Sequence, residues 1–510
     1  MTIRALLLSL FLLASANVSA ERVELPVGAT RYQGGLSADG AIAHFLGVPY
    51  AAPPVGELRW RSPKPPVTPT GPVDATRFAP ACYQGMHIVD WYRGVVRGFG
   101  GDPATVIAPE FSEDCLYLNA WTPSLGDSQL RPVMVYVHGG SNKGGWAYEP
   151  NYVGEMLARK GVVVVSVAYR LGALGFFSHP DLAESNFALQ DLAAALHWVR
   201  DNVAALGGDP DNITLFGESA GANNIAHLLV SPLTQGQFQR VILQSGGWIM
   251  DARGTRADHL ALGQRLEEAL APSGGVEALR EVPAAKLLVA AETVYQDHFF
   301  DPVVDGQSLL EPAARTFGSG EFASVDMLIG SNANEWLMYL EEGATVEDWL
   351  EENLPAAQHR AALSLLQDVE TEMGRLDRLQ SAQGYVCPSI RLAEFIRKRG
   401  GHSWLYLFSK VRDGKLASSM GAYHGAELPY VFDTHDSWLP TSTDDRLLTL
   451  RMMDAWVNFA GTGDPGTAEL DWPAFTAEQM DSVVLDTAIT SGQHRDAELC
   501  RLLDSAHGGE

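Results

Sequence analysis

The stretch Asn212-Ile-Thr-Leu-Phe-Gly-Glu-Ser-Ala-Gly-Ala-Asn-Asn-Ile-Ala226 restricts this chain more than any other. A short β-rich run, Ile213 to Phe216, meets Gly217-Glu218-Ser219-Ala220-Gly221, and a helical run through His227 and Leu229 follows. In a strand-turn-helix setting, G-x-S-x-G is a sharp turn that pushes the serine hydroxyl out of a sheet. The glycines let neighbouring backbone approach where a Cβ would stand in the way. A serine that starts a helix also lies at the positive end of its dipole, beside free N–H groups.

The surrounding pattern agrees with such a turn. Arg131–His138 and Gly161–Tyr169 are nearly unbroken apolar runs, as expected of strands covered on both faces of a parallel sheet. Residues 152–160 fit a short helix between them. Asn186–Leu206 reads as a long helix, with Leu189, Leu192, Leu196, Val199 and Val203 on one face and Gly207-Gly208 as its stop. Further strands are expected at 240–247, 325–330 and 403–408, a closing helix at 446–459, and a last edge strand at 482–485. Residues 250–325 and 341–400 read as helical insertions covering the site, and 83–114 as a long loop without a clear period. This alternation predicts an α/β fold: a mostly parallel central sheet with helices on both faces. No linker marks off independent domains, so 21–510 reads as one catalytic domain.

A serine hydroxyl needs a base, and the base needs a group to orient it. In the order Ser, acid, His, the acid belongs just beyond a later strand. Glu335, in Ser331-Asn-Ala-Asn-Glu-Trp336, is the first choice, with Asp301, Asp305 and Asp326 as rivals. His424, flanked by Gly421 and Gly425, is the candidate base, with His402 as rival. The turn His138-Gly139-Gly140-Ser141 and the N–H of Ala220 are candidate donors to an oxyanion.

Charge and cysteines bound the rest. Asp and Glu number 62 against 36 Lys and Arg, a net charge of −26, which argues against nucleic acid or an anionic membrane as partner. Arg4, the apolar run Ala5–Ala14 and Val18-Ser19-Ala20 read as a cleavable signal peptide over 1–20, hence a secreted or periplasmic protein with no membrane span. The four cysteines, Cys82, Cys115, Cys387 and Cys500, fit an oxidising compartment, allow three pairings and form no zinc pattern. No metal or other cofactor is needed. Asn212-Ile-Thr214 is a glycosylation sequon, but beside the serine strand it reads as structural.

Several segments resemble one family, the type-B carboxylesterases that include cholinesterases. They are Glu113-Asp-Cys-Leu-Tyr-Leu-Asn119, Asn186-Phe-Ala-Leu-Gln-Asp-Leu192, Gly207-Gly-Asp-Pro210, Ile213–Gly221, His424-Gly-Ala-Glu-Leu-Pro-Tyr-Val-Phe432 and Trp456–Pro465. The resemblance runs in order from about residue 22 to 500. It implies an α/β-hydrolase fold and cleavage of small-molecule esters by Ser219, Glu335 and His424. It implies oxyanion donors at Gly140, Ser141 and Ala220, and disulfides Cys82–Cys115 and Cys387–Cys500. It also implies supporting roles for Glu218, Ser245 and Glu427. Three departures stand out. Ser141-Asn142 replaces a third glycine or alanine and an aromatic, and Trp336 replaces a glycine. Gln296 and His298 occupy positions that are aromatic in the acetylcholinesterase acyl pocket, so a larger or more polar acyl group is expected, and a cholinesterase proper is not supported. Carbamates, amides, lactones or bulky natural-product esters are the rival substrates. A non-catalytic relative is the rival class, disfavoured because all three candidate catalytic residues are present.

Overall fold

A computed structural model of the chain describes residues 22–506 apart from 124, 127–128, 247–253, 272–273 and 437. The expected signal segment, the start of the first insertion, Gly247 and the tail from His507 lie outside the described residues.

The strands of the central sheet are β1 Val23–Val27, β2 Thr30–Leu36, β3 Ala43–Pro49, β4 Tyr117–Thr122, β5 Arg131–Val137, β6 Val163–Val167, β7 Gly208–Glu218, β8 Arg240–Gln244, β9 Asp326–Asn332, β10 Ser403–Phe408, β11 Asp481–Leu485 and β12 Thr490–Gln493. They lie in the order β1-β2-β3-β4-β6-β5-β7-β8-β9-β10-β11-β12, and off this path the short strand Val73–Asp74 pairs parallel with β2. From β6 through β11 every pairing is parallel, and the two flanks are antiparallel. The unbroken apolar runs have the expected cause. Along β5, Val133, Val135 and Val137 enter one core, while Met134 and Tyr136 enter a second on the opposite face.

Helices cover both faces. Helix α1 is His87–Gly98, α2 Phe187–Asn202, α3 Ala220–Val230, α4 Cys387–Lys398, α5 Thr443–Thr462 and α6 Ala497–Ala506. Helix α2 packs into the first core through Phe187, Leu189, Leu192, Leu196 and Val199, and α5 into the second through Leu448, Met452, Trp456 and Phe459. Ser442 caps α5 in a reciprocal capping box with Asp445. The insertions are helical, with Arg256–Leu270, Gly275–Arg280, Ala284–Val294 and Ala313–Ser319 in the first and Val346–Asn353, Ala356–Ser364 and Glu372–Ser381 in the second. Cys82 is joined to Cys115 and Cys387 to Cys500, which ties α4 to α6.

Two expectations are corrected. The segment read as a loop carries α1, whose Val89, Tyr92, Val95 and Val96 are buried along one side. And β11 is not the edge, because β12 pairs antiparallel outside it, with all of its residues exposed. Among the described residues no helix is long and apolar enough to cross a membrane.

Candidate active site

Parallel strands bring their carboxyl ends to one side of a sheet, and the site residues stand there. Ser219 follows β7 directly. Its backbone has φ 55° and ψ −127°, a conformation costly for any side chain. Its N–H donates to the Gln244 carbonyl at 2.9 Å, and α3 begins at the next residue. A Cβ on Gly221 would stand 2.1 Å from the Val137 carbonyl oxygen, so only glycine permits this approach of turn to β5.

Glu335 lies just past β9 and is 1 % exposed. Its Oε1 accepts from the Ser245 hydroxyl and from the Asn332 N–H, each at 2.6 Å. Its Oε2 lies 2.6 Å from Nδ1 of His424. The loop bearing His424 hangs on the loop bearing Glu335. Asn334 donates its N–H to the Ala422 carbonyl at 3.1 Å and accepts the Ala422 N–H at 3.0 Å, and the Asn332 amide donates to the Tyr423 carbonyl at 2.8 Å. Asp377, buried behind this loop, accepts from the Asn334 amide at 2.9 Å and the Trp336 N–H at 3.0 Å, and burial raises its pKa to about 6.

On the other side of the imidazole, Nε2 is 3.1 Å from Oε1 of Glu218, outside hydrogen-bonding alignment. Burial pushes the Glu218 carboxyl well above its ordinary range, against the pull of His424. Burial alone would depress His424, but the carboxylates of Glu218, Glu335 and Glu427 outweigh it and raise its pKa. Glu427 is fully buried and accepts from Gln244 at 2.8 Å and Asn332 at 2.6 Å. It thereby joins the ends of β8 and β9. Ser245, one of the residues given a supporting role by the resemblance, donates its hydroxyl to Glu335.

Ser219, Glu335 and His424 share a cavity of about 370 Å³ with Gly139, Gly140 and Ser141. Gly140 and Ser141 both have positive φ, 99° and 56°. Among the described residues, no hydrogen bond uses the N–H of Gly140, Ser141 or Ala220. Asn142, where an aromatic was expected, is 2 % exposed. Its amide donates to the Phe300 carbonyl at 2.7 Å and its carbonyl accepts from Asn224 at 2.9 Å, so it fastens this turn to α3.

The rivals stand elsewhere. Asp326 begins β9 and pairs at 2.9 Å with His402, just before β10, at the opposite ends of the strands from Glu335. Asp305 closes its own turn on Ser308. Asn212 accepts from Arg240, so its side chain is tied into the sheet. Gln296 and His298 are both exposed and neither lines the Ser219 cavity, although Gln296 lines the cavity next to it. The walls of the Ser219 cavity are instead aromatic, with Trp91, Tyr152, Trp336, Tyr339 and Tyr385.

Sequence reasoning missed Glu149. It lines the same cavity at 5 % exposure, holds the Tyr92 hydroxyl at 2.6 Å and the Trp146 N–H at 2.8 Å, and has its pKa raised to about 7 by burial. Tyr385 was missed too. It sits on a π-helical turn, Ala382–Val386, with its ring 5.4 Å from the imidazole. No group of described residues could hold a metal ion.

The arrangement brings a strained serine, an imidazole fixed by a carboxylate and free N–H donors into one cavity, which is the equipment for acyl transfer. Comparison with known proteins points the same way. The carboxylesterase family model matches residues 22–502. The para-nitrobenzyl esterase of Bacillus subtilis (strain 168) is 32 % identical over 486 residues, 90 % of this chain and 94 % of that protein. The fumonisin B1 esterase of Sphingopyxis macrogoltabida is 34 % identical over 475 residues, 86 % of this chain and 82 % of that protein. Among solved structures, a carboxylesterase of Geobacillus stearothermophilus superposes with a TM-score of 0.80 at 29 % identity, covering 94 % of this chain and 99 % of its own. The fold is thus the α/β-hydrolase fold, and the chain belongs to the carboxylesterase family, enzymes that hydrolyse carboxylic esters.

Proposed function

We propose that this protein is a secreted serine carboxylesterase that works through an acyl-enzyme, with Ser219 as nucleophile, His424 as base and Glu335 as the group that orients it. Ser219 Oγ attacks the ester carbonyl as His424 Nε2 takes its proton, and the carbonyl π electrons move onto oxygen. The N–H groups of Gly140, Ser141 and Ala220 receive that oxyanion. The tetrahedral intermediate collapses, the bond to the alcohol oxygen breaks, and His424 returns the proton to the leaving alcohol. Water then repeats the sequence on the acyl-enzyme, releasing acid and free serine. Glu335 holds the tautomer with the proton on Nδ1 and stabilises the imidazolium.

The observation that carries this reading is the 2.6 Å contact of Glu335 with His424 Nδ1 in the cavity that also contains Ser219. Secretion is supported by the leader-like first 20 residues and by the two disulfides. Residues 21–510 are read as one catalytic domain with its helical insertions.

The test is hydrolysis of p-nitrophenyl esters of increasing acyl length by the mature protein and by Ser219→Ala. The variant is expected to lose about a million-fold in kcat. Turnover that survives the substitution removes Ser219 from the mechanism.

A further inference from the structure

Beside the Ser219 cavity lies a second cavity of about 210 Å³. The two share His87 in their walls. The second is walled largely by Leu171, Leu174, Leu287 and Phe300, and into it faces Lys143. Lys143 is half-buried, and among the described residues its ammonium makes no ion pair or hydrogen bond. Among the described residues it lies over the ring of Phe300, 5.9 Å from the ring centre. In a chain with 62 acidic and 36 basic residues, an inward lysine without a counter-charge is unusual. A half-buried cation without a counter-charge can take an anion supplied by substrate. His87 and the exposed Glu292 share this cavity, but neither is within ion-pair distance of Lys143.

The lysine is held where a substrate group would find it. Its N–H donates to the Gly140 carbonyl at 3.0 Å, and Asn142 before it is bonded to both Phe300 and Asn224. It stands two residues beyond Ser141, on the turn whose N–H groups are proposed to take the carbonyl oxygen. The alcohol oxygen must face His424 to be protonated as it leaves. His424 lines the first cavity and not the second. The leaving alcohol thus belongs to the first cavity, and the second, which adjoins it at His87, has no part in that protonation.

We propose that Lys143 is a specificity residue that selects esters whose acyl chain ends in a carboxylate, with the chain in the second cavity and the carboxylate on the ammonium. This rests on the acyl transfer at Ser219 proposed above.

The test compares the mono-p-nitrophenyl ester of adipic acid with p-nitrophenyl hexanoate, which differs only in bearing a methyl in place of the carboxylate. Wild type, Lys143→Met and Lys143→Arg are assayed at low ionic strength. The adipate-to-hexanoate ratio of kcat/KM is expected to fall about 10- to 100-fold in Lys143→Met, mainly through KM, and to return in Lys143→Arg. A ratio that is the same in wild type and Lys143→Met overturns the proposal. Ser219→Ala assayed on hexanoate tests the underlying mechanism separately, so failure of one reading is not mistaken for failure of the other.

Discussion

The two nitrogens of the His424 ring face two carboxylates, and the surroundings of those carboxylates are unlike. On the Nδ1 side, Glu335 accepts from a serine hydroxyl, a backbone N–H and the imidazole itself. On the Nε2 side, Glu218 is also buried, at 6 % exposure, yet its nearer oxygen has no hydrogen-bond donor among the described residues. Burial removes water from both. Donors replace that water at Glu335, whereas at Glu218 burial dominates and raises the pKa against the pull of the His424 charge. Equal residues at similar range thus have different parts: one is held in place by donors on the Nδ1 side, the other is a carboxyl whose charge depends on the imidazole next to it.

The comparison can be broken most decisively at Glu335. Glu335→Gln keeps the shape but removes the charge that fixes the tautomer, and kcat is expected to fall about 10,000-fold. A fall below tenfold in steady-state assays would show that the donors around Glu335 do not serve catalysis. A smaller effect is expected at Glu218. His424 must be neutral to accept the serine proton, so the rate falls as pH drops through its pKa. The Glu218 charge helps hold that pKa up, so Glu218→Gln is expected to move the acid limb of the kcat/KM profile to lower pH by about one unit. A limb that stays in place means that Glu218 carries no charge while His424 titrates. The smallest effect belongs to Ser245→Ala, which removes one of the donors to Glu335. The loss of a single hydrogen bond predicts a two- to tenfold decrease in kcat, about 0.5–1.5 kcal/mol. A decrease as large as that of Glu335→Gln would assign the whole contrast to this one hydroxyl.

Much of this frame was legible from residues. Chain order and flanking glycines selected Glu335 and His424, and the rivals Asp326 and His402 turned out to be partners of each other at the far ends of their strands. The apolar runs of β5 and β6 declared a sheet covered on both faces. Helix α1 was harder, although Val89, Tyr92 and Val95 recur at helical spacing. Gly94 interrupts it, and its N-cap, Met86, offers no side-chain cap, so neither the start nor the body carries the usual signature. Strand β12 carries no apolar residue at all; it exists because β11 offers an edge to pair with. Glu149 could not be read, because its role depends on Tyr92 and Trp146 meeting it in space. Nor could the exposure of Gln296 and His298, which is set by how the insertion folds over the sheet rather than by alignment of positions.

The close approach at Gly221 has a counterpart at Gly139, where a Cβ would lie 2.8 Å from the Glu218 carbonyl oxygen. The serine turn and the donor turn thus rest on one another at van der Waals distance, main chain against main chain. Their spacing is a property of the scaffold and owes nothing to the side chains that face substrate. Lys143, Trp336 and Tyr385 can therefore be exchanged in the course of adaptation without resetting the gap between nucleophile and oxyanion donors. A new preference for substrate can arise on an unchanged chemical centre.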